Sequence, residues 1–212
     1  QEAGCCGALA HHLNDHAASH AAIKKNIDSW WPHIEAGAEA IVVTASGCGT
    51  MVADYGHVLR NDTEYAEKAK RVSELFCDAS TMVMREQAAL TALLAKADAP
   101  TQNIAFHSPC RLHHGLKIRG GVEALLHAAG YELTSVPDGH LCCGSAGTYS
   151  ILQPELSAQL LKNKVAALES GQPEGVATAN IGCLAHIESG LKSSSKLPIR
   201  HWVEWLEAGL PG

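Results

Sequence analysis

Apolar positions recur along the chain in two rhythms. Ile23, Ile27, Trp30, Trp31 and Ile34 return at three- and four-residue intervals, as do Leu156, Leu160, Leu161, Val165 and Leu168. Each set predicts a helix with one buried face. Pro154 stands where a first helical turn tolerates proline, and Gly37 and Gly171 end the two helices. A short continuous β-prone run follows each, residues 40–44 and 175–178, as expected of a buried parallel strand. Both runs lead into a Gly-Cys step, Gly47-Cys48 and Gly182-Cys183. In open α/β sheets, that C-terminal end of a strand is where ligands bind.

The two halves are copies of one unit. Cys5-Cys6-Gly7 matches Cys142-Cys143-Gly144, Gly37 matches Gly171, and Cys48 matches Cys183, at offsets of 137, 134 and 135 positions. Three ordered matches at a near-constant offset mark a duplication. Between the copies, Asn61-Asp62-Thr63-Glu64 predicts an N-cap. Val72, Leu75, Phe76, Ala79, Met82 and Val83 continue helically towards residue 97, in one or two pieces, and Asp98-Ala99-Pro100 is the break. The second copy opens with a strand over 103–107, then Cys110, a helix through Val122, Leu125, Leu126 and Ala129, and a strand over 131–136. The amphipathic tail 199–210 is expected to dock as a helix. The expected fold is α/β. Two repeated modules, 1–97 and 101–212, carry short, mostly parallel sheets flanked by helices, and the first module is truncated at its N-terminus.

Composition narrows the function. The 212 residues are 46% hydrophobic and 18% charged, an ordinary globular balance. A net charge of −6 speaks against a nucleic-acid partner. Apolar runs such as 38–45 fall far short of the roughly 18 residues of a spanning helix. The start has no secretory pattern. It lacks Met and reaches a cysteine pair by its fifth residue, so an upstream part is expected. Eight cysteines could form a disulfide framework, but that suits chains too short to build a core. Reduced thiols in a cytoplasmic setting are the expectation.

Cys142 and Cys143 are the centre of the chemistry. Adjacent Cα atoms lie about 3.8 Å apart, below the roughly 4.4–6.8 Å of a relaxed disulfide. Neighbouring thiols also diverge, which suits a cluster of several iron atoms better than one tetrahedral ion; zinc more often takes paired ligands from C-x₂₋₄-C. The second copy carries C-x31-CC-x39-C through Cys110, Cys142, Cys143 and Cys183, and His186 completes a C-x-x-H. The first copy offers Cys5, Cys6 and Cys48. Gly144 and Gly182 let backbone N–H groups approach a cofactor. His107, Arg111, His113, His114, Lys117 and Arg119 surround Cys110 as a basic group. Cys77 reads as a buried, inert thiol on a helix.

Three stretches carry a family resemblance: Glu2-Ala3-Gly4-Cys5-Cys6-Gly7-Ala8; Trp30-Trp31-Pro32-His33-Ile34-Glu35-Ala36-Gly37 with Thr44-Ala45-Ser46-Gly47-Cys48-Gly49; and His140-Leu141-Cys142-Cys143-Gly144-Ser145-Ala146-Gly147 with Thr178-Ala179-Asn180-Ile181-Gly182-Cys183. The chain resembles the cysteine-rich CCG-type domains of glycolate oxidase iron–sulfur subunits, a module also found in heterodisulfide reductases. The resemblance implies one cluster site per repeat and electron transfer from flavin-containing glycolate oxidase subunits, which oxidise glycolate to glyoxylate, towards quinone. It implies a cytoplasmic complex, with peripheral association at the inner face of the membrane allowed. It also implies two ferredoxin-type sites in an N-terminal part that nothing in these 212 residues resembles. Repeats of the five-cysteine type end in C-x-x-C, whereas His186 and Met51 stand at those places here. The centre is therefore a four-Cys 4Fe-4S cluster, a His-assisted one, or zinc in a structural module that docks the flavin subunits. Thiol catalysis ranks lowest, because no base is placed beside the pair.

Overall fold

A computed structural model describes residues 3–94 and 102–210. The chain divides into two compact units, Gln1–Ala79 and Ser80–Gly212. The expected module limits at 97 and 101, like the break at 98–100, lie outside the described residues. The class is mixed α/β, with short parallel strands in two sheets.

In the first unit, α1 (Ala8–His12) precedes the long α2 (His16–Glu35). The Asp15 side chain accepts from the Ala18 N–H at 3.0 Å and caps α2. The buried stripe of α2 contains Ile23 and Ile27, which pack with Met51, Val52, Tyr55, Leu59, Ala69 and Val72. Those partners come from α3 (Ser46–Ala53), α4 (Tyr55–Val58) with Leu59 just after it, and α5 (Ala66–Leu75). Trp30 stacks on Tyr55 with ring centroids 6.3 Å apart. Strand β1 (Ile41–Val43) pairs in parallel with β2 (Phe76–Asp78), Val42 opposite Cys77.

Strand β2 falls inside the region expected to be helical in one or two pieces. The helix spacing holds through Leu75, but β1 presents an edge of unpaired N–H and C=O groups. Phe76, Cys77 and Asp78 satisfy that edge. Tertiary pairing overrides the local pattern here. Cys77 is buried as expected, on a strand rather than a helix.

Helices α6 (Ala79–Arg85) and α7 (Gln87–Leu94) follow, and then a four-stranded parallel sheet in the order β4-β3-β5-β6. Its strands are β3 (Asn103–His107), β4 (Glu132–Thr134), β5 (Gly175–Thr178) and β6 (Ile199–His201), with α8 (Gly121–Ala128), α9 (Tyr149–Leu152), α10 (Pro154–Glu169) and α11 (Ile181–Ser193) between them. Strand β5 is buried along its whole length, as befits the inside of a parallel sheet. β3 and β5 coincide with the runs expected from sequence, and they lie side by side with His107 opposite Thr178.

The tail is only partly the expected helix. Ile199–His201 extends the sheet beside β5, and helix α12 (Trp202–Ala208) begins after it. Trp205 donates its indole N–H to the Val176 carbonyl at 3.1 Å, and Tyr131 donates to the Trp205 carbonyl at 2.9 Å. Gly175 makes room for this ring: a Cβ there would stand 2.6 Å from a Trp205 carbon. Trp205→Ala is expected to lower the unfolding free energy of the second unit by about 3–5 kcal/mol, read as an earlier urea midpoint by circular dichroism.

Candidate metal centre

The site of the second unit is assembled at one end of its sheet. His107 is the last residue of β3; the chain then passes through Ser108 and Pro109 to Cys110 and a single π-helical turn, Arg111–Gly115. Thr178 ends the adjacent β5, and Cys183 occupies the first turn of α11. Cys142 and Cys143 arrive on the loop between β4 and α9. Four thiols thus meet: Cys110 with Cys142, Cys142 with Cys143, and Cys143 with Cys183 share hydrogen bonds. Cys143 and Cys183 are buried, Cys110 and Cys142 half-buried, and all eight cysteines are free thiols.

Sulfurs this close cannot all ionise, because like charges in contact disfavour one another. Two become thiolates and two keep their protons. Cys142 is held far below the usual thiol range by hydrogen bonds from Cys110 and Cys143, helped by the Gly144 N–H at 3.3 Å. Cys183 is lowered to about 5, chiefly by the Cys143 thiol and then by His107. The Asn180 side-chain amide also donates to Cys183 at 3.3 Å. Cys110 is pushed well above the range first by its hydrogen bond with Cys142 and then by burial; Cys143, whose single S–H is shared between Cys142 and Cys183, is raised by both and then by burial. Lys164 lies nearby, only 3% exposed, and donates to the Asp138 and Gly139 carbonyls at 3.1 and 3.2 Å. Burial lowers its pKa, while the neighbouring cysteine group pulls the other way. A buried ammonium beside thiolates offsets their charge and anchors the loop that presents the pair.

Gly144 sets the path of that loop. Its φ is +96°, and a Cβ would stand 2.6 Å from the Ser157 carbonyl oxygen. Ser157 in turn donates its hydroxyl to the Gly144 carbonyl at 2.9 Å. Gly182 accepts from the Ser145 hydroxyl at 2.9 Å, which ties the pair's loop to the start of α11. His186 stands behind this layer, with Nε2 3.3 Å from the Ser157 hydroxyl. The histidine among the sulfurs is His107: one ring nitrogen and the Cys143 and Cys183 sulfurs all lie within 4.8 Å of one another.

The first unit repeats the device with fewer sulfurs. Gly7 has φ +85°, and its Cβ would meet the Ser19 carbonyl oxygen at 3.0 Å. Asn26 takes the Gly4 N–H at 2.8 Å and donates to the Cys5 carbonyl at 2.9 Å. Tyr55 donates to the Cys6 carbonyl at 3.0 Å. Cys6 and Cys48 share a hydrogen bond that raises Cys6 and lowers Cys48 to about 7. Cys5 is exposed beside them.

Spacing alone did not single out Lys164, and it put His107 in a basic surface group. Arg111, His114, Lys117 and Arg119 do lie exposed, but His107 is 1% exposed. The signal for Lys164 was its place on the apolar stripe of α10, between Leu161 and Leu168. That for His107 was its position at the end of a run whose preceding residues Ile104, Ala105 and Phe106 are all core.

A duplicated α/β unit that gathers free thiols at the C-terminal end of its parallel strands is, by class, a cysteine-rich thiol-cluster protein. The chain belongs to the CCG cysteine-rich domain family, whose sequence pattern matches residues 1–53 and 104–188. It is 51% identical over 209 residues to the glycolate oxidase iron-sulfur subunit of Escherichia coli K12, covering 99% of this chain and 49% of that protein. It is 30% identical over 193 residues to a probable glycolate oxidase iron-sulfur subunit of Bacillus subtilis, covering 90% of this chain and 42% of the relative. Lactate utilization protein A of Bacillus velezensis is 27% identical over 96% of this chain and 83% of its own length. The chain spans about half the length of the two glycolate oxidase subunits. No helix among the described residues is long and apolar enough to cross a membrane.

Gly144→Ala is expected to destabilise the second unit by about 1–3 kcal/mol, from backbone strain alone. The contact with the Ser157 carbonyl adds to it. Chemical denaturation of the metal-free chain measures the loss.

Proposed function

We propose that this chain is the cysteine-rich part of an iron–sulfur electron-transfer subunit. It takes electrons from flavin-containing subunits that oxidise glycolate to glyoxylate and passes them towards quinone. The observation that supports this reading most is the meeting of Cys110, Cys142, Cys143 and Cys183 at one end of the sheet. The 51% identity to the Escherichia coli subunit supports the choice of reaction.

The donor set suits the group. Thiolates are the ligands of iron–sulfur clusters, and the four sulfurs are already gathered and half ionised. A 4Fe-4S cluster would supply a one-electron store of tunable potential. Around it, the Gly144 N–H and the Asn180 amide donate to sulfur, and such hydrogen bonds together with burial set that potential. Lys164 balances charge from behind the loop, and Gly182 closes the contact between the two cysteine-bearing segments. Cys5, Cys6 and Cys48 form the corresponding thiol group in the first repeat, and we assign the modules to 1–97 and 101–212. His186 supports the Cys pair through Ser157.

Anaerobic reconstitution with iron and sulfide tests the assignment. The wild-type chain is expected to turn brown, to bind iron and sulfide in equal amounts, and to give an EPR signal on reduction. In Cys143→Ser the signal of the second unit is lost. A colourless chain that takes up zinc and no iron would refute the assignment. Because Cys110 and Cys143 hold their protons in the metal-free state, loading of the second unit at neutral pH is expected to release about two protons. The number rises towards three as pH falls through about 5, where Cys183 becomes protonated before metal enters. Titration in weak buffer counts them.

A further inference from the structure

Among the described residues, His107 has no partner other than the thiol group. It is 1% exposed, and both ring nitrogens are buried without a hydrogen bond to any oxygen or nitrogen. Its polar neighbour is the Cys183 sulfur, whose thiolate it stabilises. Opposite it on β5, the Thr178 hydroxyl is also buried and unpartnered. A buried polar group left without a partner costs about 1–3 kcal/mol. Two such groups at one register position, at the strand ends that carry the cysteines, indicate that something polar belongs there.

The spacing says what. A His107 nitrogen and the sulfurs of Cys143 and Cys183 lie within 4.8 Å of one another, so the imidazole is within ligating reach of the metal that those sulfurs would hold. The other histidine candidate, His186, is turned to Ser157 at 3.3 Å. We propose that His107 is a direct nitrogen ligand of the second-unit metal centre, alongside its cysteine ligands. This deepens the reading of the site as an iron–sulfur centre and rests on it. His107 then fills the donor position that C-x-x-H spacing assigns to His186.

The test uses the whole 212-residue chain, as wild type, His107→Ala, His107→Gln and His186→Ala. The Gln variant keeps much of the volume should the Ala variant fail to fold. Each is reconstituted anaerobically with iron and sulfide, reduced, and studied by pulsed EPR with ¹⁴N- and ¹⁵N-histidine. Each is also loaded with Co²⁺ alone and followed by absorption. The expected result is a bound-imidazole nitrogen coupling in wild type and His186→Ala that is absent from both His107 variants. Co²⁺ affinity in those variants should fall by more than the roughly 10–100-fold that loss of an outer-shell partner costs. An iron-loaded wild type without that coupling, or a coupling that disappears with His186 instead, overturns the proposal. If no iron is taken up, the iron–sulfur reading fails and the Co²⁺ arm decides alone. A nitrogen-containing Co²⁺ spectrum lost on replacing His107 sustains the ligand; an unchanged spectrum and affinity, or no Co²⁺ binding at all, removes it.

Discussion

Sulfur in contact with sulfur is the constraint on which the second unit is built. The Cys110–Cys142–Cys143–Cys183 chain concentrates negative charge where water is largely excluded, and the protein has to stabilise that concentration before any metal arrives. It does so in three ways. Two thiols retain protons and donate them as hydrogen bonds, backbone and amide N–H groups point at the ionised sulfurs, and a buried ammonium sits behind the loop. None of these acts at long range, so the loop carrying Cys142 and Cys143 must follow one path, and the left-handed turn at Gly144 fixes it.

The same turn recurs in the first unit, where Gly7 leans on the Ser19 carbonyl as Gly144 leans on that of Ser157. Both serines are buried on the second helix after the cysteine pair, α2 and α10. In each unit one further cysteine comes from the first turn of the helix after a β-strand, Cys48 in α3 and Cys183 in α11. The anchoring groups differ. Asn26 and Tyr55 hold the carbonyls of Cys5 and Cys6, whereas Lys164 holds the carbonyls of Asp138 and Gly139. The turn is common to both copies and the polar groups that support it are not.

Much of this was legible in the sequence, because repeats, strand runs and cysteine spacing are local properties. The strands 103–107 and 175–178, the helix through Ile23 and Ile27 and the helix from Pro154 follow from periodicity alone. What was not legible depends on partners distant in sequence. Phe76–Asp78 reads as helix until β1 supplies an edge to pair with. Residues 199–201 read as the start of a helix until β5 does the same. His107 looked like a surface cation because its neighbours in sequence are basic, while its neighbours in space are sulfurs. His186 has the spacing of a donor, but α11 places it against Ser157 of α10.

The positions that hold sulfur are separate from those that hold the sheet. Strands β3 and β5 and the Trp205 contact secure the framework through backbone pairing and apolar packing, whereas every thiol of the second unit lies on a turn, a loop or a first helical turn beyond the strand ends. Such an arrangement lets the identity of individual donors drift between duplicated copies without disturbing the hydrophobic interior. A gene duplication of this unit therefore yields two chemically distinct centres more readily than it yields two distinct architectures.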